Sequence, residues 1–213
     1  NFVPLRAGGY RGTAGDPGSL ARTASGLVLT ERGGTVYRFR PDGRLGAVHD
    51  AFGNGVSLGY DASGLLVSLV HTDGDAVALH RDGSGKVAKA VDHTGRETLY
   101  EYDDSGERLV AVTRPGGLVT RYTYAAPGSA GEHALASITF PDGRQRFFSY
   151  DGLGRNTSRW STGGAERTAF EADALGTVRT RDGLGNETSA GFDEHGRFAT
   201  LVDAGGGVSR LAW

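Results

Sequence analysis

Large apolar residues recur two places apart along most of the chain: Tyr37 and Phe39, Leu58 and Tyr60, Tyr100 and Tyr102, Tyr122 and Tyr124, Phe148 and Tyr150. A spacing of two puts both members of a pair on one face of a β-strand. Polar turn residues follow each pair. Asp61, Asp82, Asp103, Asp151 and Asp193 are each followed three places later by a glycine (Gly64, Gly85, Gly106, Gly154 and Gly196). An aspartate accepts a hydrogen bond from an amide two residues on, and glycine takes the positive φ that closes a hairpin. The pattern predicts strand, tight turn, strand, and then a second glycine turn. The 3.6-residue period of an amphipathic helix is nowhere convincing. In the second strands, Leu45 and Val48, or Leu66 and Leu69, stand three apart. Simple alternation does not give that spacing; a β-bulge or burial on both faces would.

The turns are phased. Gly43, Gly64, Gly85 and Gly106 lie 21 residues apart, and Gly53, Gly74, Gly95 and Gly116 repeat the interval from a second start. The register resumes with Gly143, Gly164, Gly185 and Gly206, and with Gly154, Gly176 (one place late) and Gly196. A fixed period of this size marks a repeat protein. Residues 27–213 therefore read as about eight 21-residue units, with an insertion near 125–133 expected as a flexible surface loop. A recurring place in the unit holds Phe39, Tyr60, Tyr102, Tyr124, Tyr150 and Phe192, and Trp213 takes it in the final stub. Residues 1–26 show no clear strand. They are expected to form an irregular N-terminal cap or a linker, and Phe2, Val3, Leu5 and Tyr10 favour the cap.

Glycine is the compositional outlier, 36 of 213 residues, against the usual ~7%. The 23 Lys and Arg against 25 Asp and Glu give a net charge of −2. That balance removes the electrostatic footprint of a nucleic-acid binder. No apolar run reaches the ~18 residues of a spanning helix, so no membrane insertion is expected. There is no cysteine, which excludes disulfides, thiolate metal sites and cysteine nucleophiles.

Tyr60-Asp61-Ala62-Ser63-Gly64, Tyr102-Asp103-Asp104-Ser105-Gly106 and Tyr150-Asp151-Gly152-Leu153-Gly154-Arg155 carry a Tyr-Asp-x-x-Gly core, extended by Arg in the third. This core resembles the YD repeat of the RHS family, which includes bacterial polymorphic toxins, the shell-forming parts of insecticidal toxin complexes and the teneurins. The resemblance covers about residues 27–213. Departures occur at Arg81, which replaces the aromatic residue, at Phe170, one place early, at Ala125 for Asp, and at Leu65 and Thr177 for Arg. The resemblance implies an all-β antiparallel strip of successive hairpins, curved or spiral, forming an open or partly closed shell. It also implies a non-catalytic module of a larger secreted or cell-surface bacterial protein, with a toxin cargo or other parts of the same parent as partners.

The structural repeat residues are then Phe39, Tyr60, Asp61, Gly64, Tyr102, Asp103, Gly106, Tyr124, Tyr150, Asp151, Gly154, Phe192, Asp193 and Gly196. Stacked carboxylates could hold Ca²⁺, but turn capping explains Asp50, Asp61, Asp82, Asp92 and Asp103 without a metal. The six histidines lack a matched ligand spacing, and serine lacks a nucleophile elbow. No metal, cofactor or catalytic residue is assigned. Phe52 and Trp160 fall outside the aromatic columns. They are the candidates for a surface contact with a glycan or a cell-surface receptor, the alternative to a purely structural role.

Overall fold

The computed structural model describes residues 2–4, 9–13, 17–173 and 176–211. Leu5 and Trp213, both read above as repeat or cap residues, lie outside them. Every described element is a strand except a 3-10 turn at Thr162–Gly164, and no helix is long and apolar enough to cross a membrane. The chain divides into two compact units, residues 1–99 and 100–213.

The first unit runs through β1 (Phe2–Pro4), β2 (Tyr10–Gly12), β3 (Ser19–Thr23), β4 (Gly26–Thr30), β5 (Val36–Phe39), β6 (Leu45–His49), β7 (Gly55–Tyr60), β8 (Leu66–His71), β9 (Ala76–Arg81) and β10 (Val87–Asp92). The division falls inside β11 (Glu97–Tyr102). The second unit continues with β12 (Leu109–Arg114), β13 (Leu118–Tyr124), β14 (Leu135–Thr139), β15 (Gln145–Tyr150) and β16 (Asn156–Ser161). It ends with β17 (Thr168–Ala172), β18 (Val178–Asp182), β19 (Glu187–Phe192), β20 (Phe198–Val202) and β21 (Val208–Arg210). Within each unit the strands pair antiparallel with their neighbours in sequence, as the turn spacing predicts. Residues 1–26 differ from the expectation of no strand. β1, β2 and β3 pair in turn and join β4, so the hairpin pattern starts before the phased glycines do.

Alternation is clearest in β11, where Glu97, Leu99 and Glu101 are exposed while Thr98, Tyr100 and Tyr102 are half-buried. Within each unit the main strand-to-strand contacts link neighbours in sequence. Ala47 and Ala111 are the only buried apolar residues among those described, and no large side chain is fully enclosed. Stability in such an array is a sum over neighbouring hairpins rather than the property of one core.

The three-residue apolar spacing is a bulge. Gly59 opposes Ser68 and Tyr60 opposes Leu66, leaving Val67 as the extra residue and bringing Leu66 and Leu69 to one face. The same shift leaves Gly46, Ala88, Ala136, Thr157 and Ala199 as extra residues in other hairpins. The hairpin of β17 and β18 pairs without a shift, Ala172 opposite Val178. Its turn glycine, Gly176, is the one that comes a place late: the residue that elsewhere forms the bulge has moved into the first strand.

Candidate functional site

The repeated turn is one geometry used at both ends of the hairpins. In Asp61–Leu65, the Gly64 amide donates to the Asp61 carbonyl at 3.0 Å and the Asp61 amide to the Leu65 carbonyl at 3.0 Å. Gly64 sits at φ 79°. This is a type I turn followed by a left-handed residue, the usual three-residue hairpin loop. The aspartate side chain completes it. Asp151 Oδ1 accepts the amides of Leu153 at 2.9 Å and Arg155 at 3.0 Å, and Asp193 Oδ1 accepts those of His195 and Arg197, both at 2.9 Å. Asp61 holds the Leu65 amide and Asp103 the Glu107 amide in the same way. Gly106, Gly154 and Gly196 all have positive φ.

These bonds favour the ionised carboxyl. The amide of Arg155 holds Asp151 below the usual carboxylate range, the amide of Arg197 does so for Asp193, and the hydroxyl of Ser105 for Asp103. A carboxyl depressed in the folded state stabilises the fold above its unfolded value, about 3.9. That contribution disappears as the pH falls through the lower folded value. The urea midpoint is therefore expected to stay level between pH 7 and 5 and to fall steadily from pH 4 to 2. A midpoint unchanged down to pH 2 would show that the turn carboxylates do not lock the hairpins.

The aromatic column has a role that periodicity alone did not reveal. Tyr60 donates its hydroxyl to the Leu45 carbonyl at 2.7 Å, Tyr124 to Leu109 at 2.8 Å, and Tyr150 to Leu135 at 2.8 Å. Each acceptor lies fifteen residues back, at the start of the second strand of the previous hairpin. The backbone pairing there stops two residues short. Ala47 opposite Ser57 is the last pair beside Tyr60, and Ser137 opposite Phe147 the last beside Tyr150. The phenol closes the wedge that the ladder leaves open and joins one hairpin to the next. Burial pushes the phenols of Tyr124 and Tyr150 above their usual value.

Arg81, the departure from the aromatic column, keeps the function by other means. Its guanidinium donates to the Leu66 carbonyl at 3.0 Å, again fifteen residues back, and to the Gly85 carbonyl at 2.7 Å. At Arg81 the requirement is a donor on a long side chain, as at Tyr60, Tyr124 and Tyr150, not an aromatic ring. Arg81→Tyr is expected to leave the melting temperature within ~2 °C of wild type, and Arg81→Leu to lower it by ~4 °C or more through the lost donor. Equal melting of the two variants would refute that requirement.

Two column members, Phe39 and Phe192, lack the hydroxyl. Phe39 is half-buried, and Phe192 is 41% exposed with its ring edge-on to Phe198 at 6.1 Å. Tyr102 is half-buried beside Asp103. The loop at 125–133 packs against its neighbours. Gly131 is buried against the ring of Tyr150, Glu132 accepts from the Arg108 guanidinium at 3.3 Å, and Ala125 donates to the Ala134 carbonyl at 2.9 Å.

Phe52 stands at a turn tip, 90% exposed. Trp160 is half-buried, its ring stacked on Phe147 at 5.5 Å with the Arg167 guanidinium 5.7 Å from its centre. The two candidates lie in different units. Histidines pair singly with carboxylates, His71 with Asp73 at 2.6 Å and His93 with Asp75 at 3.3 Å. Among the described residues no three His, Asp or Glu side chains gather as a metal site.

No protein-family model and no curated protein sequence matches the chain. Solved structures do. A TcdB2-TccC3-Cdc42 complex superposes with a TM-score of 0.59 at 13% identity, over 98% of this chain and 14% of that one. The Photorhabdus luminescens Tc holotoxin pore, carrying a TccC3 mutation, gives 0.58 at 14% identity over 94% and 13%. A TcdB2-TccC3 crystal structure gives 0.57 at 14% over 94% and 14%. The chain thus spans about one seventh of the toxin chains it matches, and what it shares with them is the fold.

Proposed function

We propose that the chain is a stretch of YD-repeat wall: a non-catalytic module of a larger secreted bacterial protein that encloses or presents a toxin domain. The observation that carries this reading is the tyrosine column. Its hydroxyls join successive hairpins at a constant fifteen-residue reach, which makes a strip extendable by repetition. A strip of hairpins joined neighbour to neighbour is suited to be a wall, because it separates two spaces while contributing few enclosed side chains of its own. The Tyr-Asp-x-x-Gly core and the likeness to toxin complexes point the same way.

The test is limited proteolysis of the intact parent protein. With the wild-type wall, the polypeptide beyond the repeats should resist protease. With Tyr60, Tyr124 and Tyr150 all changed to Ala, it should be cut at least ten times faster. Equal cleavage rates would show that the repeats do not shield the rest of the protein.

A further inference from the structure

One hairpin connection in the second unit departs from the repeated geometry. β16 and β17 share two residue pairs, Ser158 with Ala169 and Arg159 with Thr168, the shortest ladder in that unit. The chain then splays into the 3-10 turn, where Ser161 stands in place of the locking aspartate. Glu166 follows at φ 53°, the single non-glycine residue with positive φ among those described. Such a conformation persists only where its surroundings hold it, and it gathers at functional sites. Here Ser161 Oγ donates to Glu166 Oε2 at 2.8 Å, and the Arg146 guanidinium stands 3.6 Å from the same oxygen.

The splayed connection opens a groove of about 590 Å³, within the roughly 300–1,000 Å³ range of small-ligand sites. Arg146, Arg159 and Arg167 line it together with Trp160, and the exposed Leu184 forms part of its rim. Glu166 offsets Arg146. Arg159 lies 5.7 Å from the Phe170 ring centre and Arg167 5.7 Å from that of Trp160, and among the described residues neither has a carboxylate partner. The other acid on the groove, Asp182, is spent on its own turn, where it accepts the amides of Leu184 and Asn186 and the Asn186 side chain.

We propose that this groove binds an acidic saccharide of about disaccharide size through its carboxylate or phosphate group. Guanidinium forks match planar oxyanions, and two of the three here are free to pair. Leu184 and the indole give the apolar edge that a sugar's C–H face requires, and the openness of the groove to solvent suits a polar, hydrated ligand. The proposal is independent of the wall reading, since a wall serves with or without an occupant in this groove.

Titration of the whole 213-residue protein by calorimetry, with digalacturonate, a hexose phosphate, neutral digalactose and a triglutamate peptide, tests it. Either acidic sugar is expected to bind with a Kd below ~1 mM, weakening with added salt, and the stronger of the two identifies the anion. Arg159→Gln with Arg167→Gln should weaken binding at least tenfold while the melting temperature stays within ~2 °C. Glu166→Gln should strengthen binding two- to fivefold by removing the competing charge. Failure of both acidic sugars to bind, equal binding of the neutral one, or tighter binding of triglutamate would overturn the assignment.

Discussion

Tyr124→Ala is expected to cost about 3 kcal/mol in urea denaturation, and Tyr124→Phe about 1 kcal/mol. The difference separates the ring from the hydroxyl. The ring is half-buried, so truncation returns roughly 100 Å² of apolar surface to water, worth about 2 kcal/mol. The Arg108 guanidinium, 5.8 Å from the ring centre, loses its partner as well. Phenylalanine keeps those contacts and forfeits the bond to the Leu109 carbonyl, about 1 kcal/mol for a part-buried pair. A loss below ~0.5 kcal/mol for the alanine variant would place the column on the solvent side, against the half-burial of Tyr124. A phenylalanine variant as stable as wild type would show that the hydroxyl does not join the hairpins.

Gly154→Val is expected to cost about 3 kcal/mol or more, against about 1 kcal/mol for Gly185→Ala. Both glycines have positive φ, 78° and 87°. A Cβ at Gly185 meets nothing, so only the backbone penalty is paid. At Gly154 it would come within 2.5 Å of the Ala130 carbonyl oxygen, in the loop that packs over this turn. Valine adds a branched carbon to that collision and would lift the 125–133 segment off the Tyr150 ring. Thermal unfolding of the two variants measures the contrast. Similar melting temperatures would mean that the loop does not rest on the turn.

Much of the fold was legible because a hairpin is written locally. A strand needs alternation and a turn needs Asp and Gly at fixed offsets, and both are properties of a few consecutive residues. The bulge was half legible: Leu66 and Leu69 announced a break in alternation, and pairing decided which residue is extra. The strands before Gly26 were missed because they are short and their turns lack the phased Asp–Gly signal. The groove at Glu166 was missed for a related reason. Gly164 falls on the expected period and so reads as an ordinary turn, and Ser161 in place of aspartate is no signal, since His71, Arg114 and Phe140 begin other turns of that series.

By itself the sequence determined the twenty-one-residue period, the all-β class and the identity of the turn residues, since each depends on neighbours along the chain. Only the tertiary structure decided that the tyrosines act by a hydrogen bond to the preceding hairpin, that Arg81 replaces one of them, and that three arginines border a common groove. Those relations join residues whose distance in space is set by how hairpins stack, a quantity that one-dimensional spacing does not carry.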